Sequence, residues 1–320
     1  MKLLVTGGAG FIGSQVAAAY LARDHQVVIV DNLSSGKREN VPAGARFVQL
    51  DIRDRAGIDA LFALERFDMV NHHAAQIDVR KSVADPRHDA ECNALGLLNL
   101  LESCRAYGAL KFIFVSSGGV IYGEPQKLPV PESAPKSPLS PYGVTKLIGE
   151  HYLHCYRHAH GFQYAAMRYG NVYGPRQDPH GEAGVVAIFS NLLLDGKTPT
   201  IFGDGQQTRD YVFIEDVAQA NVLASEKLET LNASAGPELD ALGFNIGTGK
   251  ETSVNALYQA LAKLAKHPHP AQTAPARLGE LRRIALEVDK AKRLLGFAPR
   301  WSLRDGLQKT FEWVRGSKNR

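Results

Sequence analysis

Short apolar runs recur along the chain at Leu3–Val5, Val27–Val30, Phe47–Leu50, Met69–His72, Phe112–Ser116 and Tyr164–Arg168. Such runs have the length of buried strands. Between them the apolar residues fall at helical spacing. Ser14 to Ala22 carries Val16, Ala17, Ala19 and Tyr20, and Asn93 to Tyr107 carries Leu95, Leu97, Leu98, Leu100 and Leu101. This alternation predicts an α/β fold with a doubly wound parallel sheet and right-handed crossovers. The leucine face at 95–101 is broader than one sheet face needs, so this helix is either sandwiched in the core or placed at a subunit interface.

Beyond Arg168 the regularity weakens. Residues 171–184 are rich in Gly, Pro and polar groups and read as a substrate-facing loop. Residues 228–242 read as a surface excursion, Phe244 to Gly247 as a short strand returning to the sheet, and His267-Pro268-His269-Pro270 as a helix break. At 320 residues the chain exceeds a usual single core. The expected division is a larger unit, 1–173 plus about 214–250, and a smaller, mostly C-terminal α/β substrate domain, about 174–213 plus 251–320.

Composition narrows the class. Apolar content of 44% and charged content of 22% are those of a globular protein in water. A net charge of +4 is only mildly basic, and the Arg/Lys groups of 277–293 alternate with Asp and Glu, so no nucleic-acid partner is expected. No apolar run reaches membrane-spanning length. Cys92, Cys104 and Cys155 are widely spaced and odd in number, which points to buried thiols in a reducing cytoplasm rather than a disulfide framework. A first strand starting at residue 2 leaves no room for a signal peptide. His151, His154 and His158 share helical spacing, but no carboxylate or cysteine completes a shell, so no metal site is expected.

The candidate chemistry starts at Gly7-Gly8-Ala9-Gly10-Phe11-Ile12-Gly13, between the first strand and the first helix. Strand, glycine turn and helix are the context that a dinucleotide fingerprint requires. Its glycines allow a tight turn, close backbone approach to pyrophosphate and close helix–strand packing. The helix N-terminus then presents unpaired N–H groups to phosphate. Asp31 ends the next strand, about 20 positions past the glycines, where a carboxylate binds the adenosine ribose and repels a 2′-phosphate. NAD is therefore expected over NADP, a preference softened by nearby Lys37 and Arg38. Asp51, before Ile52 and Arg53, reads either as an acceptor for the adenine amino group or as a helix cap.

Much later comes Tyr142-Gly143-Val144-Thr145-Lys146, preceded by Pro141 at a typical helix start. Four residues of spacing put Tyr142 and Lys146 on one helical face. An ammonium beside a phenol, whose ordinary pKa is about 10, favours the phenolate and makes a usable base. Ser116 and Ser117 end the strand begun at Phe112, where a hydroxyl faces the ligand crevice and can hydrogen-bond an alcohol being oxidised.

These motifs resemble those of the extended short-chain dehydrogenase/reductases, and within them the nucleotide-sugar 4-epimerases, closest to UDP-glucose 4-epimerases. The resemblance covers nearly the whole chain. It also rests on Asp31-Asn32-Leu33, Asp51-Ile52-Arg53, His73-Ala74-Ala75-Gln76, Asn93, Arg168 to Pro175 and Arg209-Asp210-Tyr211-Val212. It implies a Rossmann-like sheet, a homodimer, and NAD that stays bound and is regenerated each cycle. Tyr142 would take the proton of the sugar 4-hydroxyl while the C4 hydride passes to NAD, and the 4-keto sugar would turn over before the hydride returns. It further implies Tyr142, Lys146 and Ser117 as catalytic, with Ser116 as the other choice for the hydroxyl. Gly7, Gly10, Phe11, Ile12, Gly13, Asp31, Asn32, Asp51, Ile52, His73, Ala74, Ala75, Asn93, Ser116, Tyr142 and Lys146 would bind the cofactor. Ser117, Tyr142, Asn171, Arg209, Arg277 and Glu280 would bind the UDP-sugar. Related dehydratases and decarboxylases carry an acid just after the strand-end hydroxyl, where this chain has Gly118 and Gly119. That favours epimerisation. UDP-N-acetylhexosamine or UDP-glucuronate remain as rival substrates, with Arg80, Lys81 and Arg176 as possible partners for a uronate carboxylate. A non-catalytic NAD-binding sensor and a net oxidoreductase releasing NADH are the rival functions.

Overall fold

Six of the apolar runs become strands, because a continuous Val/Ile/Leu/Phe segment buries both faces only inside a covered parallel sheet. The structure, a computed structural model, describes residues 1–179, 184–276 and 281–318. Its first half runs β1 (Lys2–Thr6), α1 (Phe11–Leu21), β2 (Gln26–Asp31), β3 (Arg46–Gln49), α2 (Arg55–Glu65), β4 (Met69–His72), α3 (Val79–Ala84), α4 (Pro86–Ala90), α5 (Gly96–Tyr107), β5 (Lys111–Ser117), α6 (Pro141–His160) and β6 (Gln163–Tyr169). The Gly243–Ile246 strand, expected from the sequence, adds a seventh beside β6. The sheet order is Gly243–Ile246, β6, β5, β4, β1, β2, β3, with every neighbouring pair parallel. The strand order reverses between β2 and β4 on either side of β1, and ligands bind at the carboxyl ends beside such a reversal.

Helix α1 and α8 (Ile214–Glu226) pack together on one face. A buried polar cluster joins them to the sheet. Asn71 of β4 donates to the Tyr20 hydroxyl (2.9 Å) and to Asn221 Oδ1 (3.0 Å), and Asn221 donates to the Tyr169 hydroxyl (2.6 Å). The α6 side of the sheet is held by charge. Arg168 of β6 is fully buried and donates to Glu150 of α6 (2.6 Å) and to Asp240 (2.6 Å). It also donates to the Tyr122 hydroxyl (3.0 Å) and the Glu132 carbonyl (3.1 Å).

A second core lies beyond Tyr173. It gathers Phe189 and Leu193 of α7 (Val185–Leu194), Tyr211 and Phe213, Leu257 and Leu261 of the Val254–Ala265 helix, and Leu307 and Phe311 of the Leu303–Lys318 helix. Phe11 and Ile12, in the first turn of α1, pack against it. The dinucleotide turn therefore sits where the two cores meet.

Three expectations change, and one alternative is decided. The 171–184 segment contains a short strand, Asn171–Tyr173, paired in parallel with Tyr211–Phe213. The 228–242 segment is more than a surface excursion. It forms the Leu228–Ser234 helix and then delivers Asp240 to Arg168, a long-range ion pair invisible in local pattern. The helix expected from Asn93 begins with a π turn over Glu91–Leu95 that buries Asn93. Its leucine face is mostly spent inside: Leu97, Leu100 and Leu101 are fully buried, while Leu95 is exposed.

Removing the Arg168 guanidinium strands the Glu150 carboxylate in the interior. Breaking a buried ion pair costs about 3–5 kcal/mol. Arg168→Met should lower the unfolding free energy in urea by that amount, and a loss below about 1 kcal/mol would show that the network contributes little.

Candidate active site

The turn after β1 is shaped by what no side chain could occupy. Gly7 adopts φ +67°, and a Cβ on Gly13 would lie 2.3 Å from the Gly7 carbonyl oxygen. Helix α1 then starts at Gly10 with no side-chain cap and no acidic residue in its first turn. By contrast α2, α3, α4 and α6 are capped by Asp54, Asp78, Asp85 and Ser140. Uncapped N–H groups beside a glycine cradle suit an anionic pyrophosphate.

Asp31 is buried at the end of β2. Its carboxylate accepts from the Ala9 N–H (3.0 Å) and the Leu33 N–H (2.8 Å), so it braces the glycine turn. Arg38, which softened the NAD preference, lies over the Phe47 ring at 4.2 Å. Asp51 is not the cap of α2, a role taken by Asp54. It accepts from Asn32 (2.8 Å) and from Arg53 (2.8 Å), and the Arg53 hydrogen bond holds its carboxyl well below the usual carboxylate range. Asp51 and Arg53 line a cleft of about 540 Å³ with Asp54, Glu91, Leu95 and Asn99. The side chain of Ile52 is buried away from that cleft, against Gly96.

Past β4, the backbone at His73 and Ala74 runs so close to Gly7 that a Cβ there would lie 2.6 Å from the Ala74 nitrogen. Thr6 Oγ1 bonds His72 Nδ1 (2.7 Å) and accepts from the Ala74 N–H (3.2 Å). Burial holds the His73 imidazole neutral, down to about 3. Ala75 is half-buried beside them. Asn93 reaches across, accepting from the Gln76 N–H (2.8 Å) and donating to the Gln76 carbonyl (2.9 Å).

Tyr142 and Lys146 occupy the first turns of α6, on one face as their spacing predicts. Lys146 is buried, and its ammonium donates to the Val115 carbonyl of β5 (2.9 Å). It lies 5.3 Å from the Phe114 ring centre and 5.7 Å from that of Tyr142. Burial pushes the ammonium down to about 8, and the Asp89 carboxylate acts in the opposite sense.

The two strand-end serines separate by the alternation of β5. Ser116 turns inward and donates to Glu150 (2.5 Å). Ser117 is half-buried on the other side. A Cβ built on Gly119 would lie 3.8 Å from Ser117 Oγ and 3.9 Å from Asn171 Oδ1, so both side chains flank one point. At Gly118 a side chain would collide with Leu286 at 2.6 Å, which excludes an acid there. Asn171 and Arg209 lie on either side of buried Asp210. The Asn171 N–H donates to the Asp210 carbonyl (2.7 Å), and the Asp210 carboxylate accepts from Thr248 (2.8 Å), Gly249 (3.0 Å) and Leu286 (3.1 Å) backbone N–H groups. Arg277 and Glu280 lie outside the described residues.

Asp89, Thr145, Glu150 and Asp240 were not singled out from the sequence. Only Glu150 left a signal, four residues beyond Lys146 on the same helical face.

A turn for a dinucleotide and a buried Lys beside Tyr at the strand end define a pyridine-nucleotide enzyme of the doubly wound class. The sequence matches the NAD dependent epimerase/dehydratase family over residues 3–246, and the chain belongs to that family. It is 45% identical over 320 residues to the UDP-glucose 4-epimerase of Mycolicibacterium smegmatis, covering 98% of this chain and 99% of that protein. The crystal structure of UDP-glucose 4-epimerase from Thermotoga maritima with UDP-glucose superposes with TM-score 0.93 at 45% identity, covering 99% of this chain and all of the other. The Thermus thermophilus UDP-glucose 4-epimerase complex with NAD gives 0.91 at 44%, with the same coverage. The cofactor of the family is NAD, and the cradle at Gly7–Gly13 fits it.

Gly13→Ala should leave the fold intact and abolish NAD retention, since the added methyl group enters the space of the Gly7 carbonyl. Bound nucleotide released on denaturation, read by absorbance, checks this; wild-type occupancy would contradict the cradle.

Proposed function

We propose that the protein is a UDP-hexose 4-epimerase that interconverts UDP-glucose and UDP-galactose on a retained NAD. The observation that carries it is the buried Lys146 ammonium, 5.7 Å from the Tyr142 ring at the end of β5, where Ser117 stands. NAD supplies the hydride acceptor and donor at one sugar carbon. Tyr142 takes the proton of the 4-hydroxyl as general base, and Ser117 orients that hydroxyl by a hydrogen bond. Lys146 favours the phenolate by its charge and holds the nicotinamide ribose. The cofactor is held by Gly7, Gly10, Phe11, Ile12 and Gly13 at the pyrophosphate, Asp31 at the adenosine ribose, and Asn32, Asp51 and Ile52 at the adenine end. His73, Ala74, Ala75 and Asn93 follow along its length, with Ser116 contributing through its backbone. Asn171, at the end of the NAD-binding unit, and Arg209 and Arg277 hold the diphosphate of the UDP-sugar, and Glu280 takes the nucleotide ribose. With glycine at 118 and 119 there is no acid to drive elimination after oxidation.

A neutral hexose suits the cations at hand. Arg176 donates to Ser14 Oγ (3.1 Å) and to the Asn40 carbonyl (3.4 Å), on the dinucleotide side. Arg80 lies 3.6 Å from Asp78 and is two-thirds exposed, and Lys81 is exposed. A uronate carboxylate buried without a cation costs several kcal/mol. UDP-galactose, UDP-N-acetylglucosamine and UDP-glucuronate, offered without added NAD and followed by NMR, test the reading. UDP-galactose should be converted with the highest kcat/KM; faster UDP-glucuronate would make the enzyme a uronate epimerase, and a requirement for added NAD would make it a net oxidoreductase.

Tyr142→Phe should keep NAD bound and lower kcat by about 10²–10⁴-fold. Turnover within a few-fold of wild type would remove Tyr142 as the base.

The protein is further read as a cytoplasmic homodimer, packing α5 and α6 of each copy into a four-helix bundle. Support comes from exposed Leu95, just before α5, and exposed Val144 on α6, and from three free cysteines, of which only Cys104 is buried as expected while Cys92 is half-buried and Cys155 exposed. Light scattering at micromolar concentration should give twice the 34.9 kDa chain mass; the monomer mass would count against it.

A further inference from the structure

The buried carboxylate of Asp89 has no part in the chemistry derived above, yet it stands at the joint of the site. It belongs to α4, is fully buried, and precedes the π turn of Glu91–Leu95 that carries Asn93. Its Oδ1 accepts from Gln76 Nε2 (2.9 Å) and Asn93 Nδ2 (3.1 Å), and its Oδ2 accepts from Thr145 Oγ1 (2.8 Å). Thr145 is the residue just before Lys146, and its hydroxyl also lies 3.1 Å from the Tyr142 carbonyl. One carboxylate thus ties β4's continuation at Gln76, the π turn at Asn93, and the first turn of α6. π turns interrupt helices at functional sites more often than elsewhere.

We propose that Asp89 is a positioning residue: the buried counter-charge of Lys146, and the joint that holds Asn93 and the Tyr142–Lys146 turn in one frame. It acts through those residues and touches neither cofactor nor sugar. The groups facing the Lys146 ammonium are few. From its own helix come Tyr142 and, one turn on, Glu150, which is committed to Arg168 and Ser116. From β5 comes the Val115 carbonyl. From the end of β4 come His72 and His73, both held neutral by burial. From α4 comes Asp89, whose charge favours the ammonium against burial. Without that charge burial would act on the ammonium unopposed, and its proton would be held less firmly.

Asp89→Asn probes the charge with little change of shape. The oxygen of the introduced amide still accepts from Gln76 and Asn93, and its nitrogen can donate to Thr145, whose hydroxyl then donates to the Tyr142 carbonyl. The readout is the titration of Lys146 in the NAD-loaded protein, followed by NMR of ¹³C-labelled lysine, with Lys146→Arg assigning the signal. Removing a nearby negative charge disfavours the ammonium, so Lys146 should titrate about one unit lower in Asp89→Asn than in wild type. The alkaline fall of kcat should move down by the same amount, with KM for the sugar nearly unchanged. Lys146 titrating at the same pH in both proteins would overturn the proposal, as would a loss of activity uniform across pH. Thr145→Val keeps the charge and removes one hydrogen bond. It should lower kcat while leaving the Lys146 titration in place or higher, and a downward shift there would overturn the proposal even if Asp89→Asn fails to fold. The effect on turnover rests on the epimerase reading; the titration of Lys146 does not.

Discussion

An ammonium buried at the end of β5 constrains the rest of the molecule. Lys146 has to exchange water for protein donors and acceptors, and burying a charge without such partners is prohibitive. It finds the Val115 carbonyl and the faces of two aromatic rings. That contact requires α6 to lie close on β5. Gly149 allows it, since a Cβ there would lie 2.3 Å from Phe114 Cζ. The Arg168–Glu150 pair and the Ser116 hydroxyl then fix the next turn of the same helix to β5 and β6. The start of α6, with Tyr142 and Lys146, is therefore fastened to the end of β5, and the proton transfer proposed for Tyr142 needs such a fixed placement.

The other half of the site is built from missing atoms. Glycines at 7 and 13 and the uncapped start of α1 leave backbone donors exposed beside Asp31. Phe11 and Ile12, in the same turn, pack against the second core. Asn171 and Arg209 are carried on short strands, Asn171–Tyr173 and Thr208–Arg209, next to that second core, and Asp210 joins them to Thr248, Gly249 and Leu286. The crevice is formed by this meeting of two cores rather than by either alone.

Much of this was legible in the chain. Continuous apolar runs gave the strands because all but the half-exposed edge strand β3 are buried in the sheet, and the glycine turn and the Tyr-x-x-x-Lys spacing are local patterns with local causes. What stayed hidden was long-range. The period-two alternation of a strand separates Ser116 from Ser117, but which of the two meets Glu150 depends on where α6 lies. Asp240, in a segment of small and polar residues, gives no local sign of its ion pair with Arg168. The leucines at 97, 100 and 101 fit a core or an interface equally until the helix is seen against the sheet, with its inner face already filled. Asp89 reads as one more surface acid until α4 and the π turn bury it.

Epimerisation on a retained NAD requires that a hydride leave one sugar carbon and return to it without meeting solvent. UDP-galactose carrying deuterium at C4, incubated in water with the purified protein and no added NAD, separates this from exchange. The expected product is UDP-glucose with the deuterium still at C4, read by NMR and mass spectrometry. UDP-glucose that has lost its deuterium to solvent would contradict it.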